Sequence, residues 1–127
     1  RAHSLYITRY PEGREATLDW WTIDNVFTNT TDAGILILAS TTDTSVTVSF
    51  KGVKKWDITT FKGPRFNVVA PGRVEVSDPE CIPQDPSSGF TVVNTRVFSQ
   101  KGKEVDRQSI TTKYDATNQV VCTKKAG

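Results

Sequence analysis

The stretch FTVVNTRVFSQKGKEVDRQSITTKY, residues 90–114, carries the strongest fold signal in this sequence. Residues 90–99 and 104–114 are rich in β-branched and aromatic side chains, which favour strands. Between them, Gln100-Lys101-Gly102-Lys103 includes a glycine that tolerates the positive φ of a tight turn. The stretch therefore predicts a long β-hairpin. Because a lone hairpin is marginal in water, we expect it to pack on the rest of the domain or to be tied down.

A second hairpin is predicted nearer the N-terminus. The continuous apolar run Ile35-Leu36-Ile37-Leu38 is bounded by turn residues, which favours a strand buried on both faces. Residues 46–50 alternate, so Val46, Val48 and Phe50 are expected to face inward. The two segments are predicted to pair antiparallel.

Shorter strands are predicted from the same period-two pattern, with Val26 expected to point inward. They cover residues 5–10, 15–21, 24–28, 56–60 and 119–122.

Residues 62–86 differ in character, because five of the six prolines lie there. Proline cannot donate to a sheet ladder, so this segment is predicted to be a connector with at most one edge strand, at residues 73–77. The expected organisation is a first part at 1–62 and, packed on it in one compact unit, an extension at 63–127.

The fold class predicted from these patterns is all-β. We expect antiparallel sheets, sandwich-like or as a meander, with the C-terminal hairpin held by a disulfide. The length of 127 residues fits one domain, and no helix-period segment of convincing length is present.

The two cysteines, Cys81 and Cys122, flank the long hairpin. A structural disulfide between them is predicted, with free buried thiols as the alternative. A metal or redox site is disfavoured, since His3 is the only histidine and no CxxC spacing occurs. No cofactor and no metal are expected. A disulfide indicates an extracytoplasmic protein, secreted or at the cell surface, with a membrane anchor upstream as one option.

The net charge of +2 is too small to indicate nucleic-acid binding. Basic residues gather at Lys51, Lys54 and Lys55, and at Lys62 and Arg65. They are interpreted as a solvated surface, with docking of an anionic wall polymer as the alternative. The chain opens without methionine, so it is interpreted as a processed piece of a longer protein, and the upstream part of that polypeptide is an expected partner.

Polar residues of chemical interest are concentrated near the N-terminus. His3-Ser4 is followed by Tyr10-Pro11-Glu12-Gly13-Arg14-Glu15-Ala16-Thr17 and then by Asp24-x-x-Phe27-x-Asn29-x-Thr31-Asp32. This string resembles the C-terminal half of the VanW family of bacterial surface proteins linked to vancomycin resistance, over roughly residues 1–60. Residues 63–122 resemble, more weakly, the tail of actinobacterial members, which agrees with the disulfide.

The resemblance implies an active site of which this chain holds only a part. Family members carry an upstream segment whose cysteine would be a nucleophile, and His3 would then be its base. By the same resemblance Asp24 would orient His3, and Arg9 or Arg14 would hold a carboxylate. The chain alone is not expected to be an active enzyme.

Plainer interpretations of these residues stay open. His3 fits a structural role near the chain start, and Asp24 fits a turn. Trp20 and Trp21 are expected in the core. The alternative is that an exposed indole, beside Tyr6 or Tyr10, stacks on a sugar ring.

Three functions follow as hypotheses. The first is a cell-envelope accessory module that binds peptidoglycan or its precursors. The second is the His-bearing half of a Cys-dependent acyl-transfer or peptidoglycan-modifying enzyme. The third is a structural spacer.

Overall fold

The computed structural model describes residues 2–3, as backbone alone, and residues 9–124. Every regular element in these residues is a β-strand, which confirms the all-β prediction. The strands are β1 Ala2–His3, β2 Ile35–Thr41, β3 Val46–Gly52, β4 Asp57–Lys62, β5 Phe66–Val69, β6 Arg73–Val76, β7 Gly89–Gln100, β8 Lys103–Asp115 and β9 Gln119–Cys122. The predicted strand at residues 5–10 lies mostly outside the described residues.

The largest sheet is built around the predicted long hairpin. Its strand order is β1-β8-β7-β4, and β5 also pairs with β7. The β7–β8 turn has Lys101 at φ 50° and Gly102 at φ 76°. Two consecutive residues with positive φ are typical of the type I′ turn, whose twist suits a two-residue hairpin. Beside β8, the short strand β1 pairs in parallel, with His3 opposite Asp115.

The chain forms two compact units. The first comprises residues 1–15, 59–97 and 107–127, and the second comprises residues 16–58 and 98–106. The predicted division at residue 62 stays a prediction.

The core of the first unit lies on the hairpin. Phe90, Val92 and Tyr114 are buried together, and the rings of Phe90 and Tyr114 lie 4.8 Å apart between centroids. Phe90, Val92 and Asn94 alternate along β7, so they share one face of the sheet. The guanidinium of Arg65 covers the Phe90 ring at 4.1 Å from its centroid. The side chains above the core are therefore polar and charged.

The Cys81–Cys122 disulfide is present, as predicted, with 5.7 Å between the Cα atoms. It joins the proline-rich segment to β9, which pairs in parallel with β6. The predicted edge strand at 73–77 is confirmed as β6. The parallel pairing of β6 with β9 was not predicted, because the two strands lie far apart in the sequence and no local pattern links them.

The second unit contains the predicted β2–β3 hairpin, which is antiparallel. Ile37 lies opposite Phe50 and Ala39 opposite Val48, so the apolar residues of β3 do share a face. The burial prediction is wrong, however, because all the residues of both strands are exposed. Among residues 9–124 the two strands pair only with each other. The ring of Phe27 contacts Phe50 with 6.0 Å between centroids.

The strands predicted at residues 15–21 and 24–28 are wrong. Asp19 forms a single bridge to Ile23 around a tight turn, in which Trp21 has a φ of 75°. The backbone N–H groups of Thr22 and Ile23 both donate to the Asp19 carbonyl, and the Thr22 hydroxyl donates to the Asp19 carboxylate. Local hydrogen bonds of this kind compete with a sheet ladder. Val26, predicted to point inward, is 83% exposed.

Candidate functional site

The Tyr10–Arg14 part of the N-terminal motif folds as a tight turn in the first unit. The N–H of Arg14 donates to the Pro11 carbonyl at 3.0 Å, and Gly13 has a φ of 66°. Glycine adopts this left-handed conformation without the penalty that a side chain brings. The predicted turn is confirmed, and its glycine is explained by the backbone.

Two buried residues of the long hairpin hold this turn against the sheet. The side-chain amide of Asn94 donates to the Glu12 carbonyl at 2.8 Å. The hydroxyl of Tyr114 accepts the Gly13 N–H at 2.6 Å and donates to the Glu15 carboxylate. We call these contacts of Asn94 and Tyr114 with residues 12–15 the turn clamp. The clamp fixes the backbone of the motif and leaves the Tyr10 and Arg14 side chains exposed.

The carboxylate of Glu12 lies under the turn, and this residue is only 8% exposed. The ammonium of Lys62 contacts it at 3.1 Å, and the Nε of Arg65 contacts it at 3.1 Å. The hydrogen bond from Arg65 is the main cause that lowers the pKa of Glu12; burial opposes it and Lys62 adds to it. The same ion pair raises the pKa of Arg65. Glu12 therefore stays ionised at neutral pH, and because its pKa is lowered in the folded state, its pairing contributes stability that is lost as the pH falls below the ordinary range of a glutamate.

A cleft of about 270 Å³ opens beside the turn. Its lining combines the turn with residues of β4 and β7: Tyr10, Pro11, Glu12, Arg14, Thr60, Lys62 and Asn94. Asn94 is 2% exposed, and its Oδ1 has no hydrogen-bond partner among the described residues. Buried acceptors without a partner are rare in folded proteins, which marks this cleft as a candidate binding site.

The structure places two of the predicted site residues, Tyr10 and Arg14, in this cleft. The guanidinium of Arg9 lies over the Tyr10 ring, 5.8 Å from its centroid. Tyr6 and the side chain of His3 lie outside the described part of the chain. The roles predicted for all of these residues stay predictions.

The remaining predicted site residues belong to the second unit. Asp24 is exposed in an irregular segment. Trp20 and Trp21 are 79% and 89% exposed and contact each other edge-on, with 5.1 Å between ring centroids. The prediction that both indoles pack in the core is wrong. The tight turn at Asp19 replaces the strand that would have buried one of them.

The functional residues that sequence reasoning missed are the ones beneath the turn. Glu12 occupied the variable position of the motif, and Lys62 and Arg65 were interpreted as solvated. Asn94 carried a usable signal, because it is a polar residue in phase with Phe90 and Val92 on a buried face. Nothing in the sequence pattern singled out Tyr114 as the donor to Glu15.

Burial, and then the hydrogen bond to Glu15, raises the pKa of Tyr114 to about 12. The unfolded phenol ionises near 10, so the folded state is stabilised fully below pH 10, and this contribution is lost as the pH rises towards 12. We expect the denaturant midpoint to fall over this window, and Tyr114→Phe to remove the Tyr114 part of that fall. An equal fall in the variant and the wild type would show that Tyr114 is not protected.

The fold and the clamp define an all-β, disulfide-bonded module whose N-terminal turn is seated on a hairpin sheet. The family model described as VanW like protein matches residues 1–51. This N-terminal segment is therefore VanW-like, which confirms the resemblance found in its motif. The match includes the turn but neither Asn94 nor Tyr114. No curated protein and no solved structure matches the chain at a significant level.

The described residues include no helix with the length and hydrophobicity of a membrane-spanning segment. Nor do they contain a group of three or more His, Cys, Asp or Glu side chains placed to hold a metal ion.

Proposed function

We propose that this chain is an extracytoplasmic cell-envelope module that binds peptidoglycan or its precursors through the cleft at the Tyr10–Arg14 turn. The observation that carries the proposal is the turn clamp. It fixes the turn above the buried, charge-paired Glu12 carboxylate and leaves the Tyr10 and Arg14 side chains exposed. A rigid backbone that presents an aromatic ring and a guanidinium is suited to binding, since little order is lost when a ligand arrives.

The cellular setting supports the proposal. The disulfide fits an oxidising compartment outside the cytoplasm, and the VanW-like segment fits a bacterial surface protein. Both cysteines of the chain are in the disulfide, so this chain supplies no thiol nucleophile. The acyl-transfer role therefore requires a nucleophilic cysteine from outside this chain, whereas a binding role does not.

Co-sedimentation with purified peptidoglycan sacculi tests this function. We expect the wild-type chain to pellet with sacculi and Arg14→Gln to pellet several-fold less. Arg73→Gln is the matched control, because Arg73 is an exposed arginine on β6, outside the cleft. Trp20→Ala tests separately whether the exposed indoles stack on sugar rings.

Two outcomes would count against the proposal. If the wild-type chain stays in the supernatant, the structural-spacer function is favoured. If it pellets only with sacculi that retain their anionic polymers, and Arg14→Gln pellets equally well, the basic residues bind an anionic polymer and the cleft is not the site.

A further inference from the structure

We propose that the cleft binds the free carboxyl end of a peptide, with Arg14 holding the carboxylate and Asn94 Oδ1 accepting an N–H of the last amide. The inference rests on the proposed function and narrows its ligand to the peptide part of peptidoglycan or of a precursor.

The first step concerns the orientation of the Asn94 side chain. A backbone carbonyl only accepts hydrogen bonds, so the contact of Asn94 with the Glu12 carbonyl must be made by Nδ2. Oδ1 is thereby fixed as the second polar atom of the amide, and it is buried without a partner within the described residues. Asn94 lines the cleft, but its Oδ1 is almost fully covered, so the amide or the turn must shift slightly for a ligand donor to reach it. A ligand that brings such a donor gains the missing hydrogen bond.

The second step concerns charge. The cleft lining and the Arg65 that borders it contribute three positive charges, from Arg14, Lys62 and Arg65, and Glu12 and Glu15 contribute two negative charges. The guanidinium of Arg9 lies over the Tyr10 ring and is not part of the lining. Lys62 and Arg65 are both committed to Glu12, whereas the Arg14 guanidinium makes no ion pair with any residue between 9 and 124. The uncommitted charge is therefore a guanidinium, which binds carboxylates through paired N–H donors.

The third step combines the two requirements with the size of the site. A donor for Asn94 and an anion for Arg14 must belong to one small ligand group, because the cleft of about 270 Å³ is slightly smaller than most small-molecule sites. The end of a peptide chain carries an amide N–H next to a carboxylate. A simple anion leaves Oδ1 without a donor, and a neutral sugar leaves Arg14 without a counter-charge.

The site would combine two parts of the chain. Tyr10 and Arg14 come from the segment that the family model matches, and Thr60, Lys62 and Asn94 come from the part beyond residue 51. The part of the chain beyond residue 51 therefore contributes to the binding site, in addition to carrying the disulfide.

A nuclear magnetic resonance titration of the ¹⁵N-labelled chain tests the inference. The probes are N-acetyl-dialanine with a free carboxylate, in its L,L and D,D forms, and the same peptides as C-terminal amides. We expect at least one acid to shift the Asn94 side-chain amide and Arg14 Nε signals, and its amide to bind at least about tenfold more weakly. Arg14→Gln should weaken binding of the acid to a similar extent, and Arg73→Gln should leave it unchanged.

Several results would overturn the inference. These are equal binding of acid and amide, unmoved Asn94 signals at saturation, which would mean that water satisfies Oδ1, and binding of N-acetylmuramic acid with none of the dipeptides. Wild-type retention on sacculi without dipeptide binding would reject the peptide end and leave the proposed function standing. Loss of both would reject both.

Discussion

Replacing Cys81 and Cys122 together with serine will lower the free energy of unfolding by about 4 kcal/mol. The bond closes a loop with a sequence separation of 41, and in the chain-entropy model a loop of this size restricts the unfolded chain by about that amount. The loss should be large for this chain, because within the described part of the chain β9 pairs only with β6 and, through an isolated bridge, with Gln84. Urea denaturation followed by fluorescence measures the change.

Reduction of the wild-type chain gives the matched control. The reduced wild type should unfold at the same urea concentration as the double serine variant, since both lack the bond and keep similar side chains. Equal midpoints for the oxidised and reduced wild type would show that the disulfide contributes no stability.

Gly13→Ala will destabilise the chain by about 2–3 kcal/mol. The left-handed φ of 66° costs a residue with a side chain about 1–2 kcal/mol. In addition, the new Cβ would lie 2.4 Å from Asn94 Nδ2, so the hydrogen bond from Asn94 to Glu12 would be displaced at a further cost of about 1 kcal/mol. Thermal and urea unfolding measure the sum.

Gly102→Ala separates the two contributions. Gly102 also has a left-handed φ, of 76°, but apart from its chain neighbours no atom of the described residues lies within 4 Å of its would-be Cβ. Gly102→Ala should lose only the backbone contribution, about 1–2 kcal/mol. If the two alanine variants are equally stable, Gly13 is not pressed against Asn94 and the clamp is absent.

The parts of the fold that the sequence predicted are local ones. The long hairpin follows from two strand-like runs and a Lys-Gly turn, and β2 and β3 follow from an apolar run and a clean alternation. The disulfide followed from two cysteines that flank one hairpin. The strand and turn signals come from residues that are near neighbours in the chain. The disulfide was predictable because the chain has only two cysteines, which allow a single pairing.

The failures have two physical causes. Around Asp19, side-chain and backbone hydrogen bonds within four residues produce a turn where alternation had predicted a strand. At Ile35–Thr41 the strand is correct, but an apolar run does not say what covers it. In the residues that the structure describes, β2 pairs only with β3. Burial depends on neighbours that the local pattern does not contain.

Of the candidate site, the sequence allowed a prediction of the exposed residues but not of the buried contacts that hold them. Tyr10 and Arg14 belong to a recognisable motif, whereas the clamp joins residues separated by 82 positions for Asn94 and Glu12, and by 101 for Tyr114 and Gly13. Contacts at such separations leave no periodic trace in one sequence. The buried carboxylate of Glu12 was hidden for the same reason.

The clamp on which both proposals rest is tested most directly by hydrogen exchange at the Gly13 amide. Because this N–H donates to the buried Tyr114 hydroxyl, we expect it to exchange far more slowly than the N–H of an open turn, and to become fast in Tyr114→Phe. Exchange of the wild-type Gly13 amide at the rate of an unprotected turn would contradict the account.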